Sequence, residues 1–315
     1  MPHDRFRYSA ELLEDFKRRY LSVLFRYTGD GPRSYGFEYE FLPDRPMDPA
    51  DVSRVQDRLK EAGFSAAGKT LVSEETGMHV DFEPGGQIEY CSPPLLPSEG
   101  GRFEQMMRLI EETNAFLRAR TGIAYMAVDY LPGRAEAPLC LTSARYRSLH
   151  RRLSRVGSRG LEMMKATASI HLHVVISDFR NLLPLFDRLC ELSVDERFQM
   201  SATRRDIWDR TDPSRCGRPP CCFADLQSPD ELIHRLIDFA LRAEVLGEEV
   251  PFHMAADSSF EAFLDHMTTI FTDVRFNLKG PTLELRTPDS QPVVQFRKKW
   301  EDFVSIMENT GKGGG

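Results

Sequence analysis

The chain has 315 residues, 41% of them hydrophobic and 28% charged, with a formal net charge of −7. That balance is typical of a soluble globular protein with ample core, and the acidic excess argues against a general nucleic-acid binder. No run of about 18 apolar residues occurs, so no membrane span is expected, and the charged start MPHDRFRYSAELLEDF lacks a signal-peptide core, which points to a cytoplasmic protein.

Residues 9 to 27 read as a helix, with Ser9 as N-cap and Leu12, Leu13, Phe16, Tyr20 and Leu24 on one stripe. After the loop TGDGPRS comes GFEYEF, a strand whose period of two puts Glu38 and Glu40 on one face and Phe37, Tyr39 and Phe41 on the other. Paired carboxylates repel unless water or a cation lies between them, so the stretch fits either a half-exposed strand or a divalent-cation site. Asp48-Pro49 starts a helix that stops at Gly63. Short strands are expected near 70–73, 78–82 and 87–90, a helix over about 101–120, and a strand at IAYMAVDYL.

A basic helical stretch over about 143–165, interrupted near Gly157 and Gly160, carries Arg145, Arg147, Arg151, Arg152, Arg155, Arg159 and Lys165. A solvated helix face explains it; an anionic ligand or an RNA edge is the alternative. TASIHLHVVIS is the most strand-like segment. Helices near 180–193, 229–246 and 258–271 follow, with a Pro- and Cys-rich loop over 208–226. Strands near 274–278 and 282–286 and a helix over 291–308 close a single domain spanning 1–310, and 311–315 (GKGGG) reads as a disordered tail. Strands and helices do not alternate in βα order, which indicates an α+β fold with a mixed or antiparallel sheet.

The six cysteines are expected to be reduced thiols. Cys216, Cys221 and Cys222 invite a zinc reading, but their spacing fits no paired C-x-x-C knuckle. There is no P-loop, no G-x-G-x-x-G and no G-x-S-x-G.

Three later strands repeat the pattern of GFEYEF. Gln87 and Glu89 share a face opposite Ile88 and Tyr90; His171 and His173 oppose Ile170, Leu172 and Val174; Glu284 and Arg286 oppose Leu283 and Leu285. Each strand thus has an apolar face for helices to cover and a polar face rich in Glu, Gln, His or Arg. Such side chains bind hard cations and phosphate oxygens, and the oxygen-rich set favours Mg²⁺ with a phosphate-bearing co-ligand.

The ordered motifs GFEYEF, GGQIEYCSPPL, ARYRSLHRRLSRVGSRGLEMMKATASIHLHV, IWDRTDPSRCG and TTIFTDVRFNLKGPTLELRTPDS resemble those of the glutamate–cysteine ligases, in particular the plant and proteobacterial type. The likeness runs over about residues 34 to 296. It implies a glutamine-synthetase-like fold, with a curved, largely antiparallel sheet forming an open funnel backed by helices. It also implies ATP-dependent phosphorylation of a carboxylate followed by attack of an amine on the acyl phosphate, with Mg²⁺ neutralising phosphate charge.

Carried over by position, the resemblance assigns Glu38, Glu40, Glu89, His171 and Glu284 to metal and places Arg286, beside Glu284, at the transferring phosphoryl group. It assigns Arg215, Arg275 and Lys165 to ATP, and Gln87, His173 and Arg145 to amino-acid or peptide substrates. Lys165, His173, Val175 and Cys216 depart from the family pattern, so glutamate plus cysteine is the default substrate pair and another pair is open. A non-catalytic relative that binds nucleotide or peptide is one alternative. A zinc hydrolase using His171, His173 and a carboxylate is another.

Overall fold

The computed structural model describes residues 8–25, 31–277 and 281–311. Its strands are β1 (Tyr35–Pro43), β2 (Phe64–Ala67), β3 (Thr70–Ser73), β4 (His79–Phe82), β5 (Ile88–Cys91), β6 (Tyr125–Met126), β7 (Ile170–Val175), β8 (Cys216–Gly217), β9 (Phe271–Thr272), β10 (Val274–Asn277) and β11 (Thr282–Leu285). The helices are α1 (Ala10–Leu24), α2 (Pro49–Glu61), α3 (Gly100–Thr121), α4 (Ala144–Val156), α5 (Gly160–Ala166), α6 (Phe179–Leu192), α7 (Ala202–Asp209), α8 (Pro229–Arg242), α9 (Phe260–Met267) and α10 (Val293–Asn309).

Eight strands form one sheet in the order β10-β11-β7-β1-β5-β4-β3-β2, and β6 pairs with the end of β1. Every pairing in it is antiparallel. Long-range antiparallel pairing with helices outside a βα alternation makes this an α+β fold. No described helix is long and apolar enough to cross a membrane.

The apolar face of the central strands is covered as their alternation requires. Phe37 packs edge-on against Phe296 and Trp300 of α10, at ring-centroid distances of 5.3 and 5.7 Å. Phe103 of α3 stacks on Trp300 at 5.0 Å, and Tyr39 meets Phe296 at 4.8 Å. These aromatic contacts seal one side of the sheet, so the side chains of opposite parity are left to form the site.

Local signals set most element ends. The Ser9 hydroxyl caps α1, and Asp48 and Asp51 form a reciprocal capping box on α2. Two short elements carry too little pattern to be legible: β2, in which only Phe64 is buried, and α7, two turns capped by Ser201. IAYMAVDYL gives only the two-residue β6, because Asp129 and Leu131 then bond to Ala168 and Ala166 beside β7 instead of extending the ladder. Residues 312–315 of the expected tail lie outside the described residues.

The expectation of six reduced thiols is corrected. Cys190, at the end of α6, and Cys222 form a buried disulfide across a sequence separation of 32. Cys91, Cys140, Cys216 and Cys221 are free. With Cys222 in a disulfide, Cys216, Cys221 and Cys222 do not form a zinc site. Closing a loop of this length removes denatured-state entropy worth about 3–4 kcal/mol. Cys222→Ser should therefore lower the unfolding free energy in urea by roughly that amount under oxidising conditions and by little with excess dithiothreitol.

Candidate functional site

The strands β11, β7, β1 and β5 are consecutive neighbours, which places their polar faces side by side. Glu38 pairs across with His171 on one side and Cys91 on the other; Glu40 pairs with Glu89, and Glu284 pairs with His173 and Arg275. The strand ladder alone therefore gathers Glu38, Glu40, Glu89, His171, His173, Arg275 and Glu284 on one surface, and Arg286 continues it just past β11.

The contacts are close. His171 Nδ1 lies 2.6 Å from Glu38 Oε2 and 3.4 Å from Glu284 Oε1, while its Nε2 lies 2.8 Å from the Ser169 hydroxyl. Glu40 Oε2 accepts from the Ser169 backbone N–H at 2.7 Å and from its hydroxyl at 2.9 Å. His173 has Nδ1 at 3.2 Å from Thr282 Oγ1 and Nε2 at 3.5 Å from Glu38 Oε1. Glu284, wholly buried, accepts from Arg275 Nε at 3.0 Å and Nη2 at 2.8 Å, and also from Arg286 Nη1. The Arg286 Nε and His173 Nε2 atoms are buried without a hydrogen-bond partner.

Charge is unevenly compensated across this surface. At Glu284, burial alone would raise the carboxyl pKa, but Arg275 and Arg286 overcome it and hold the pKa well below the usual range. At Glu38, burial and the Glu284 charge push upward, yet His173 and His171 keep the pKa down at about 2. The β5 end is less well compensated. Burial and then the charge of Glu38 drive Glu89 well above the ordinary carboxylate value, and burial followed by Glu40 raises Glu83 to about 8. Burial likewise lowers His173, which favours its neutral ring.

Glu83 is a member that the sequence reading passed over. The strand ending at Phe82 was read without its next residue, although His79, Asp81 and Glu83 alternate in the same sense as Glu89 and Cys91, and Asp81 pairs with Glu89. Cys91, two positions after Glu89, donates to Glu89 Oε1 at 3.4 Å. Tyr146 on α4 faces the same group, and the Glu83 charge, ahead of burial, raises its phenol pKa. Arg204 is a supporting member: fully buried, it donates to the carbonyls of Arg286, Thr287 and Pro288 and to Asp289, so it fixes the segment that carries Arg286.

Four sequence-assigned residues are not brought to this surface. Gln87 is a brace: its Oε1 accepts from Gly85 N, and its Nε2 donates to Met164 O and Thr167 O. Gly85 itself sits so close to α5 that a Cβ there would lie 2.6 Å from Lys165 O. Lys165 is buried and donates to Ala137 O, and burial lowers its pKa. Arg145 is exposed and donates to Thr268 O. Arg215 is fully buried, with all three nitrogens engaged by Asp212, Thr269 and the Glu244 carbonyl.

Among the described residues, two groups could hold a metal ion: Glu38 with His173 and Glu284, and Glu38 with Glu89 and Cys91. They share Glu38. The carboxylate oxygens suit a hard divalent cation, and the unpartnered Nε2 and Arg286 Nε show donors and acceptors still lacking a ligand. Both nitrogens of His171 are engaged by protein oxygens, Nδ1 by Glu38 and Nε2 by Ser169.

A family model described as glutamate-cysteine ligase family 2 matches residues 34–191, which include Glu38, Glu40, Glu83, Glu89, His171 and His173. Among curated proteins, the chain is similar to the chloroplastic glutamate–cysteine ligase of Arabidopsis thaliana, at 24% identity over 305 residues. It is also similar to that of Brassica juncea, at 23% over 304 residues, and to glutamate–cysteine ligase A of Oryza sativa subsp. japonica, at 25% over 307 residues. These matches cover 84% of this chain but 56%, 57% and 59% of the relatives, so the chain spans little more than half their length. With half of its residues matched by the family model and its acidic strand surface inside that match, the chain belongs to glutamate-cysteine ligase family 2.

Proposed function

We propose that this protein is an ATP-dependent carboxylate–amine ligase that forms an amide through an acyl phosphate, with the antiparallel sheet as the wall of a glutamine-synthetase-like funnel. One observation carries the reading. Five carboxylates, Glu38, Glu40, Glu83, Glu89 and Glu284, share one largely buried surface on which, among the described residues, two guanidiniums stand, Arg275 and Arg286. A surface so short of positive charge is built to complete itself with cations, and one flanked by arginines suits the phosphates that such cations accompany.

In this reading Glu38, Glu40, Glu89 and Glu284 would hold Mg²⁺, which would supply charge neutralisation at the phosphate oxygens. Arg286, with its free Nε, donates to that group as its charge redistributes, and Arg275 supports it through the shared Glu284. His171 orients Glu38 and, through Ser169, Glu40. Glutamate and cysteine are the first substrate pair to test. The altered residues at 165, 173, 175 and 216 make a different amino acid or amine equally worth testing.

The test is ADP release, measured by a coupled assay, over amino acids supplied singly and in pairs. A donor alone should give slow ATP hydrolysis, and its acceptor should accelerate it. Mg²⁺–ATP binding by calorimetry with no ADP release for any pair would overturn the enzymatic reading and leave a nucleotide-binding relative. Arg286→Lys should keep ATP binding and lower turnover about 10²-fold or more, because a point charge does not reproduce the guanidinium fork.

A further inference from the structure

Helix α4 carries Arg145, Arg147, Arg151, Arg152 and Arg155 and no carboxylate in 13 residues, on a chain whose formal net charge is −7. Packing and ion pairs fix its inner side. Leu149 and Leu153 sit against Met164, Arg152 is held by Asp212 and Glu244, and Arg145 donates to Thr268 O. Arg147, Arg151 and Arg155 recur every fourth residue and are all exposed, so they form one row along the solvent side. Successive members rise by about 6 Å along the helix axis.

The row departs from how other helices of this protein carry surface charge. Arg18 pairs with Asp15 on α1, Arg58 with Glu61 on α2, and Arg242 with Asp238 on α8. On α4, among the described residues, a carboxylate meets only the last member of the row. Glu249 approaches Arg155 at 2.6 Å, with both side chains more than half exposed. Arg147 donates to the Thr142 carbonyl, which carries no full charge. Like charges four residues apart repel and weaken a helix, so the row costs the fold and calls for a counter-charge from outside it.

We infer that the row Arg147, Arg151 and Arg155 is a docking surface for an acidic peptide segment of a partner protein. Alternate residues of an extended chain stand about 6–7 Å apart, and helical residues four positions apart about 6 Å, so either form sets a carboxylate on each guanidinium. The guanidinium fork takes both oxygens of a carboxylate, which adds direction to charge. A single small anion is a poorer fit, because no member of the row is buried and the row extends over about 12 Å. A nucleic-acid strand is also a poorer fit. It carries a charge at every nucleotide and would meet Glu249, where a peptide can place a neutral residue, and Ser148 and Ser154 beside the arginines give a base no ring to stack on. Tyr146, next in sequence to Arg147, faces the Glu83 group, so the row borders the acidic surface without belonging to it. The inference does not depend on the ligase reading.

The experiment measures fluorescence anisotropy of a fluorescein-labelled peptide of alternating glutamate and serine, about twelve residues long, with the full chain at low ionic strength. Wild type should bind it, ignore the matching glutamine–serine peptide, and lose affinity as salt is added. Arg151→Glu should weaken binding at least about tenfold. Because that change puts a carboxylate between Arg147 and Arg155, its melting temperature should hold or rise, which separates lost docking from lost fold. Arg18→Glu, on the paired face of α1, should bind the peptide as wild type does. Failure of wild type to bind, equal binding by Arg151→Glu, or an equal loss in Arg18→Glu would each overturn the assignment. Displacement of the peptide by an oligothymidylate of the same length at lower concentration than by the unlabelled peptide would overturn it in favour of a nucleic-acid surface.

Discussion

Glu38→Gln is expected to abolish ADP release, by at least about 10²-fold, while leaving a folded protein that no longer gains thermal stability from Mg²⁺ or Mn²⁺. Glu38 belongs to both trios that, among the described residues, could hold a metal, so changing it disarms both at once. Glutamine keeps an oxygen to accept from His171 Nδ1, which preserves the β1–β7 contact that alanine would break. Fold loss is not expected. Glu38 stands among Glu40, Glu83, Glu89 and Glu284, and its charge is among the influences that raise Glu83 and Glu89, so neutralising it relieves repulsion in the metal-free protein. Against that relief, His173 and His171 hold Glu38 ionised, with its pKa down at about 2, so the melting temperature without metal should change little or fall modestly, and the increment on adding Mn²⁺ should vanish. Wild-type turnover, or an undiminished metal-induced shift, would remove Glu38 from the metal centre.

The polar surface was readable from the sequence because strand periodicity is local. Once GFEYEF is a strand, Glu38 and Glu40 must share a face, and the same holds for His171 and His173. Which strands lie side by side is set by long-range pairing, so the order β11-β7-β1-β5 came only from the structure. The same limit explains the residues that changed meaning. His171 and His173 have the same parity and differ only in their partners, Ser169 and Glu38 for one and Thr282 for the other. Gln87 reads as a pocket residue until the close approach of Gly85 to α5 shows what it braces. Glu83 escaped because a proline and two glycines follow it and mark a turn, although the strand's alternation reaches it.

Arg215 shows the other kind of miss, a charged side chain whose counter-charge lies within the same loop and whose second neighbour lies far away in sequence. Asp212, wholly buried, accepts from Arg215 Nε at 2.9 Å and from Arg152 Nε at 2.5 Å, and takes Ser214 Oγ at 2.7 Å. Asp212→Asn keeps the shape and removes the one buried charge facing two buried guanidiniums. Glu244, at 2.7 Å from Arg152 Nη1, is partly exposed and, among the described residues, remains as the carboxylate in hydrogen-bond contact with these guanidiniums. Stranding buried charge in this way costs about 3–5 kcal/mol, which denaturant unfolding would measure directly.

The acid limb gives an independent check on Asp212. Burial raises its pKa, but the hydrogen bonds from Arg152 and Ser214 lead a larger downward push, so the folded value lies below the ordinary carboxylate value. Its stabilisation is therefore complete above about pH 4 and is lost as pH falls through the depressed value, and Asp212→Asn should flatten that part of the stability profile. The loop's place in the fold then separates structure from chemistry. Gly157, at the end of α4, packs so tightly on Thr211 that a Cβ would meet its carbonyl at 1.8 Å, and Arg152 ties the same helix to Asp212. Since α4 also carries Tyr146 toward Glu83, loosening this clamp should lower the unfolding midpoint yet spare metal binding and ADP release below it. Glu38→Gln should do the opposite. If Asp212→Asn instead abolished ATP binding at full stability, Arg215 and its loop would belong to the nucleotide site after all.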